Sequence, residues 1–379
     1  MFFDPLSTRS IENFESLINN DDPQFEIYFF KRIKNQNQLL SNKTVGVYIK
    51  DEKHNTFNKC RFCATLTFHL LKNPNYDLIV VDDLASYGSV CTSLAKILRI
   101  KIISTVHGFF MDEWDERKNY PMIKKVISQL ISKISLKYAD LFVINDKRMT
   151  EVLINYKIPP EKIWERYVCV DPIKFDKSKI DAIAINDFLN RYHVPEKYLL
   201  FVGSLNKKDG IEDFLQIIKK IHMSLPNMSY LIIGEGPEIF RVTNFINQNS
   251  QINIKYIKHI DYQLMPLVYY NALLTVLPMY PPQAGVGKII LESLSMECPV
   301  ITSDAGIFHE VIVNDINGYI LPMGDIHLFE NKILDLIQNQ EKRNQWGING
   351  RKIVLEKYSI NDYISNWKKS LVFLLKSDI

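Results

Sequence analysis

Apolar residues recur along this chain in two rhythms. Short runs rich in Ile, Val, Leu and Phe, such as Leu78-Ile79-Val80-Val81, alternate with stretches whose apolar positions return at helical spacing. The short runs predict strands at 25–30, 44–48, 78–81, 102–106, 141–144 and 167–170, then at 198–202, 230–233, 252–257, 274–277, 299–302 and 318–321. The periodic stretches predict helices at 11–18, 56–71, 88–98, 122–139 and 147–156, then at 211–223, 239–248, 264–270, 289–296, 326–338, 344–356 and 362–376. Runs that are apolar throughout, alternating with helices, signal parallel sheets covered on both faces. The alternation occurs twice, separated by a polar, weakly periodic stretch at 172–197 with one short helix near 185–192.

At 379 residues the chain is too long for one ordinary core. We expect two α/β domains, 1–180 and 181–359, with a terminal helix at about 360–379 packing back on the first. Hydrophobic residues at 46% and charged residues at 23% describe a soluble globular chain, and a net charge of +3 is too small to argue for nucleic acid. Five cysteines make no disulfide framework. The lone pair Cys60-Arg61-Phe62-Cys63 lies inside a helical stretch without a second pair or nearby histidines, so it reads as two half-buried thiols and no metal is expected. No signal peptide or apolar run of membrane-spanning length is visible, and a reducing cytoplasm fits. One helix complicates that location. Residues 122–139, from Met122 to Ala139, carry Ile123, Val126, Ile127, Leu130, Ile131, Ile134 and Leu136 at apolar positions, with Lys118, Lys124, Lys125, Lys133 and Lys137 around them. This is either a core helix with a solvated charged face or a peripheral contact with an anionic membrane.

The densest chemical signal is Ala284-Gly285-Val286-Gly287-Lys288-Ile289-Ile290-Leu291-Glu292. A glycine-bracketed turn enters an amphipathic helix, whose first N–H groups favour an anion such as phosphate. Glu292 lies within reach of a ribose hydroxyl beside that phosphate. A turn that merely caps a core helix is the plainer alternative. Other polar clusters follow strand ends, where open parallel sheets bind ligands. They are Gly203, Gly234 to Pro237 and Asp304 to Glu310 in the second half, with Asp4 to Arg9, Asp82-Asp83, His107-Gly108 and Asn145-Asp146 in the first.

Taken in order, Phe201-Val202-Gly203-Ser204-Leu205, Gly210-Ile211, Ile233-Gly234-Glu235-Gly236-Pro237, Glu292 to Val300, Glu310-Val311-Ile312 and Asn317-Gly318-Tyr319 resemble the GT4-type (glycosyltransferases group 1) family. Thr105-Val106-His107-Gly108, Tyr138-Ala139-Asp140 and Val170-Asp171 match it more loosely, so the likeness covers nearly the whole chain. The resemblance implies a GT-B fold: two Rossmann-like domains facing across a cleft, donor nucleotide in the second, acceptor mainly in the first. It implies a metal-independent, retaining hexosyltransferase-type reaction with no cofactor beyond its UDP- or GDP-linked sugar. Residue by residue, Glu292 matches the second Glu of the E-x7-E motif, which binds the donor ribose. Gly285 and Gly287, with Val286 between them, match its glycine turn, which lies against the diphosphate or the sugar, His107 the first-domain His beside the donor sugar, and Glu235 the loop near the base.

Three positions depart from the pattern. The first Glu of the motif falls on Ala284, the usual Arg on Ser204 and the usual Lys on Asp209. Lys207, Lys208 or Lys288 must then supply the diphosphate cation, and Lys288 is favoured because it opens the helix after the turn. Glu310 either supports its own turn or binds the donor sugar. Arg9, Asp82 and Asp83 are acceptor-side candidates whose plainer reading is solvated turns. The reading for function is transfer of a sugar to a hydroxyl acceptor, carbohydrate or lipid-linked, in polysaccharide or glycolipid synthesis. A glycosyltransferase-like binding or chaperone subunit without turnover is the rival, favoured by Ala284, Ser204 and Asp209. A sugar-nucleotide epimerase would need denser acid–base groups than the chain shows.

Overall fold

The computed structural model describes residues 2–4, 29–33, 44–48, 56–73, 75–81, 86–106, 122–166, 168–281 and 285–376. They form two compact units, Met1–Tyr167 with Tyr363–Ile379, and Val168–Asp362.

The first unit holds a seven-stranded parallel sheet. Its strands are β1 (Phe2–Asp4), β2 (Phe29–Ile33), β3 (Thr44–Tyr48), β4 (Leu78–Val81), β5 (Lys101–Val106), β6 (Leu141–Ile144) and β7 (Ile163–Glu165), in the order β3-β2-β1-β4-β5-β6-β7. Helices α1 (Thr56–Lys72), α2 (Ser86–Leu98), α3 (Met122–Tyr138) and α4 (Arg148–Asn155) connect them. β4 and β6 are buried at every position, as their unbroken apolar runs require. Leu66, Leu70, Cys91, Ala95, Phe142 and Leu153 fill the core between sheet and helices.

The predicted strand at 167–170 is not the seventh strand. β7 lies upstream and pairs with β6 at Phe142, Val143 and Ile144, while Val170 makes only an isolated bridge to Ser359. Trp164 on β7 packs its ring 5.3 Å from Phe373 of the terminal helix α12 (Ile360–Lys376). Arg166 stacks on Tyr363 and Trp367 of the same helix, and Lys101 Nζ donates to the Leu374 carbonyl.

The second unit carries a six-stranded parallel sheet of order β10-β9-β8-β11-β12-β13. The strands are β8 (Tyr198–Val202), β9 (Ser229–Ile233), β10 (Asn253–Ile257), β11 (Ala272–Leu277), β12 (Val300–Ser303) and β13 (Gly318–Leu321). Its helices are α5 (Ala182–Tyr192), α6 (Ile211–Ser224), α7 (Ile239–Gln248), α8 (Met265–Asn271), α9 (Lys288–Ser295), α10 (Ile326–Gln338) and α11 (Gln340–Lys357). In both sheets the strand order reverses beside the first strand, which places the switch point of the second between β8 and β11.

Residues 168–180, which the sequence assigns to the first domain, pack within the second unit. Phe175 is fully buried against the rings of Tyr262 and Tyr269, and Arg351 donates to the carbonyls of Phe175 and Ser295 while pairing with Asp176.

Of the helix at 122–139, read from the sequence either as a core helix or as a peripheral contact, Ser132, Ser135, Leu136 and Ala139 are buried, whereas Val126, Leu130 and Ile134 are exposed. Small side chains face inward because α3 packs directly on α2, and close helix contact favours small residues.

Candidate functional site

The site is built on the carboxyl edge of the second sheet, at its switch point. After β8 the chain turns at Gly203, and after β9 at Gly234. A Cβ on Gly234 would lie 1.8 Å from the Gly203 carbonyl oxygen, so only glycine lets these two loops touch. Gly203 N–H donates to Ile233, Leu205 N–H to the Glu235 carbonyl and Glu238 N–H to the Leu205 carbonyl. The β8 loop ends at Gly210, φ 79°, where a Cβ would come within 1.9 Å of the Pro278 carbonyl. Tyr280 N–H donates to the Lys208 carbonyl, and Tyr280 Oη donates to Asp213 of α6 at 2.7 Å. Three loops are thereby stitched into one rim.

Gly285 and Gly287 take φ of 68° and 82°, and Val286 between them is buried. The turn delivers the chain into α9 with no side chain capping its first N–H groups. A Cβ on Gly203 would sit 3.6 Å from Ile289 Cδ1, so the β8 turn and the first turn of α9 are neighbours. A helix start beside a glycine turn is the arrangement whose N–H groups favour an anion.

Glu292 follows on α9 and is 3% exposed. Its Oε1 accepts from Tyr262 Oη at 2.9 Å and its Oε2 from Tyr269 Oη at 3.0 Å. Burial pushes the Tyr269 phenol well above its usual range, and the Glu292 charge pushes it further, so Tyr269 stays a donor. Two phenols hold the carboxylate in place. Lys288 Nζ lies 4.9 Å from the centre of the Tyr262 ring and Lys174 Nζ 3.6 Å from it. Two cations therefore stand on the ring that orients Glu292.

The structure brings together Gly203, Gly285, Val286, Gly287, Lys288 and Glu292. Ser204, Lys207 and Lys208 are exposed on the β8 loop. Asp209, which takes the place of a cation, accepts from Asn206 Nδ2 within that loop. Glu235 is exposed and pairs with Lys258 at 3.5 Å. Glu310 is half-buried at the end of a short 3-10 turn, and its carbonyl accepts from Tyr358 Oη. Arg9, Asp82, Asp83, His107 and Ala284 lie outside the described residues. Among the described residues no cluster of His, Cys, Asp and Glu has metal-binding geometry, and Cys63 is half-buried and in no disulfide.

Sequence reasoning missed Tyr262, Tyr269 and Lys174. Each is far from Glu292 in the chain, and nothing in the spacing of a lone tyrosine or lysine marks it as a carboxylate's neighbour.

Residues 187–353 match the profile for glycosyl transferases group 1, and residues 42–173 match that for glycosyltransferase family 4. The chain is 27% identical over 244 residues to the capsular polysaccharide biosynthesis glycosyltransferase CapM of Staphylococcus aureus, covering 62% of each chain. It is 24% identical over 197 residues to an uncharacterized glycosyltransferase of Methanocaldococcus jannaschii, covering 49% of this chain and 54% of that one. These matches thus span little more than half the length of the relatives. Among solved structures, Anabaena HepE in complex with UDP-glucose superimposes with a TM-score of 0.77 at 13% identity, covering 98% of both chains. With its two doubly wound parallel sheets this chain has the GT-B fold, and it belongs to the GT4-type, glycosyl transferases group 1 family.

Proposed function

We propose that the protein is a retaining glycosyltransferase that moves a sugar from a nucleotide-diphosphate sugar to a hydroxyl acceptor in polysaccharide or glycolipid synthesis. The observation that carries this reading is Glu292, a buried carboxylate held by two phenols one turn beyond an uncapped helix start. A diphosphate seated on the Gly285-Val286-Gly287 turn places its ribose hydroxyls toward that carboxylate. Lys288, with Lys174 behind the same ring, supplies positive charge as the diphosphate leaves. The glycosidic bond to the diphosphate breaks, the acceptor oxygen bonds to the anomeric carbon on the same face, and the acceptor proton passes to the departing phosphate. His107 attends the donor sugar, and Arg9, Asp82 and Asp83 the acceptor, as the family resemblance implies.

Solved HepE structures hold UDP or UDP-glucose, which favours a uridine donor here, with GDP-sugars as the alternative. Neither a cofactor nor a metal takes part. The acceptor is a carbohydrate or a lipid-linked intermediate, and the protein works in the cytoplasm, touching the inner membrane face peripherally. No described helix is long and apolar enough to cross a membrane.

The test is calorimetric binding of UDP and GDP, followed by release of nucleotide from UDP- and GDP-sugars. Micromolar binding with turnover is expected, and Lys288→Ala should weaken both by roughly tenfold to a hundredfold. Absence of nucleotide binding at millimolar concentration would overturn the reading. Binding without release would favour the rival, a binding or chaperone subunit, to which the loss of charge at Ser204 and Asp209 points.

A further inference from the structure

Glu292 is covered. It is 3% exposed, and each of its oxygens accepts from a phenol, Oε1 from Tyr262 and Oε2 from Tyr269. A ribose hydroxyl that reaches this carboxylate takes a place the structure gives to a side chain. The two phenols are not equivalent. Tyr269 lies within α8 and is fully buried, with its ring centre 6.2 Å from that of Phe175. Tyr262 opens a three-residue 3-10 turn, is half-buried, and stands between exposed Asp261 and Gln263. A side chain on a surface turn moves at less cost than one locked in a packed helix.

Tyr262 also lies along the path a donor needs. Lys288 and Glu292 are four residues apart on α9, so they share one face of the helix. Tyr262 meets both, with Lys288 Nζ 4.9 Å from its ring centre and its Oη 2.9 Å from Glu292 Oε1. Its side chain therefore follows the strip from the glycine turn to the carboxylate. A ribose carrying a diphosphate seated on that turn uses the same strip. Lys174 Nζ, 3.6 Å from the ring centre, holds the ring as well. An ammonium group gains less from a ring face than from a phosphate oxygen. A diphosphate at the turn thus draws Lys174 and Lys288 off the ring and loosens the phenol.

We propose that Tyr262 stands in for the donor ribose. Its hydroxyl occupies Glu292 Oε1 until a ribose hydroxyl displaces it, while Tyr269 stays on Oε2 throughout. The inference rests on the reading of Glu292 as the ribose ligand and adds a competitor to it. The stand-in keeps a buried carboxylate hydrogen-bonded, which an unpaired buried charge requires. It also selects the ligand. Free phosphate draws off the ammonium groups but does not replace the phenol, and a nucleoside does the opposite. Only a ligand with both parts completes the exchange. The apparent affinity is lowered by the fraction of molecules in which the phenol holds the carboxylate.

The test is calorimetric titration of the full chain and its variants with UDP, GDP and their 2′,3′-dideoxy forms. Tyr262→Phe keeps the ring beside Phe175 and the two ammonium groups and removes only the hydroxyl. It should bind the ribonucleotide about tenfold tighter, the worth of a hydrogen bond to a carboxylate, and leave the dideoxy form unchanged. Tyr269→Phe should bind the ribonucleotide about tenfold weaker. Tyr262→Leu, which also frees the ammonium groups, should bind inorganic diphosphate severalfold tighter. Unchanged or weaker ribonucleotide binding by Tyr262→Phe, or equal tightening of the dideoxy form, would overturn the proposal. Unchanged diphosphate binding by Tyr262→Leu would overturn the part given to Lys174 and Lys288. The donor reading fails by a different result, equal binding of the ribonucleotide and dideoxy forms by the unaltered chain.

Discussion

Helices α9 and α3 both follow a strand of a parallel sheet, and both bury serines. In α9 every buried polar group is matched. Ser293 Oγ donates to Thr275, Ser295 Oγ donates to the Phe175 carbonyl, and Glu292 accepts from two tyrosines. In α3 Ser135 Oγ is fully buried and has no hydrogen-bond partner among the described residues. A matched buried polar group holds one arrangement, since any other leaves it unpaired at a cost of about 1–3 kcal/mol. An unmatched hydroxyl specifies nothing. α9 is therefore fixed by its buried polar groups, whereas Ser135 places no such constraint on α3.

The largest expected effect falls on Glu292. Glu292→Ala leaves the Tyr262 and Tyr269 hydroxyls facing a cavity and should cost on the order of 3 kcal/mol of stability and at least a hundredfold in nucleotide affinity. Urea unfolding and calorimetry read the two separately, and unchanged affinity would remove the ribose role. Next come the glycines. Gly234→Ala forces a methyl into the Gly203 carbonyl and should cost roughly 3 kcal/mol, whereas Gly287→Ala meets nothing closer than 4.0 Å and should cost only the strain of a backbone conformation that glycine alone takes easily, about 1–2 kcal/mol. Comparable losses for both would show that crowding does not hold the rim together. The serines then test the comparison directly. Ser293→Ala should destabilise by about 1 kcal/mol, and Ser135→Ala should be neutral or slightly stabilising, both by thermal melts. A loss at Ser135 equal to that at Ser293 would refute the contrast.

The smallest effect is in pH. The Asp213 hydrogen bond, with burial after it, raises the Tyr280 phenol from about 10 to about 12. The folded chain keeps that proton longer than the unfolded chain. The stabilisation is thus whole below about pH 10 and lost as pH rises through about 12. Tyr280→Phe should flatten the alkaline limb of a stability–pH curve, and an unaltered limb would assign it elsewhere.

Much of the frame was legible in the chain. The runs at 78–81, 141–144 and 198–202 are apolar at every position and form buried strands, because a strand covered on both faces buries every side chain and favours apolar ones. The strand at 163–165 was not legible. Trp164 and Glu165 lack any alternation, and they pair only because β6 presents an edge and α12 offers Phe373. The glycine turn was legible from Gly285 and Gly287, whose positive φ few other residues accept. The tyrosines that hold Glu292 were not, since they come from separate elements brought together by the sheet.

The sequence by itself determined two α/β units, the glycine turn at the switch point and the carboxylate beyond it, because periodicity and backbone freedom are local properties. The tertiary structure alone decided which face of α3 is buried, which side chains hold Glu292, and that residues 168–180 join the second unit. Those outcomes depend on which partners the other elements supply, and no local pattern carries that information.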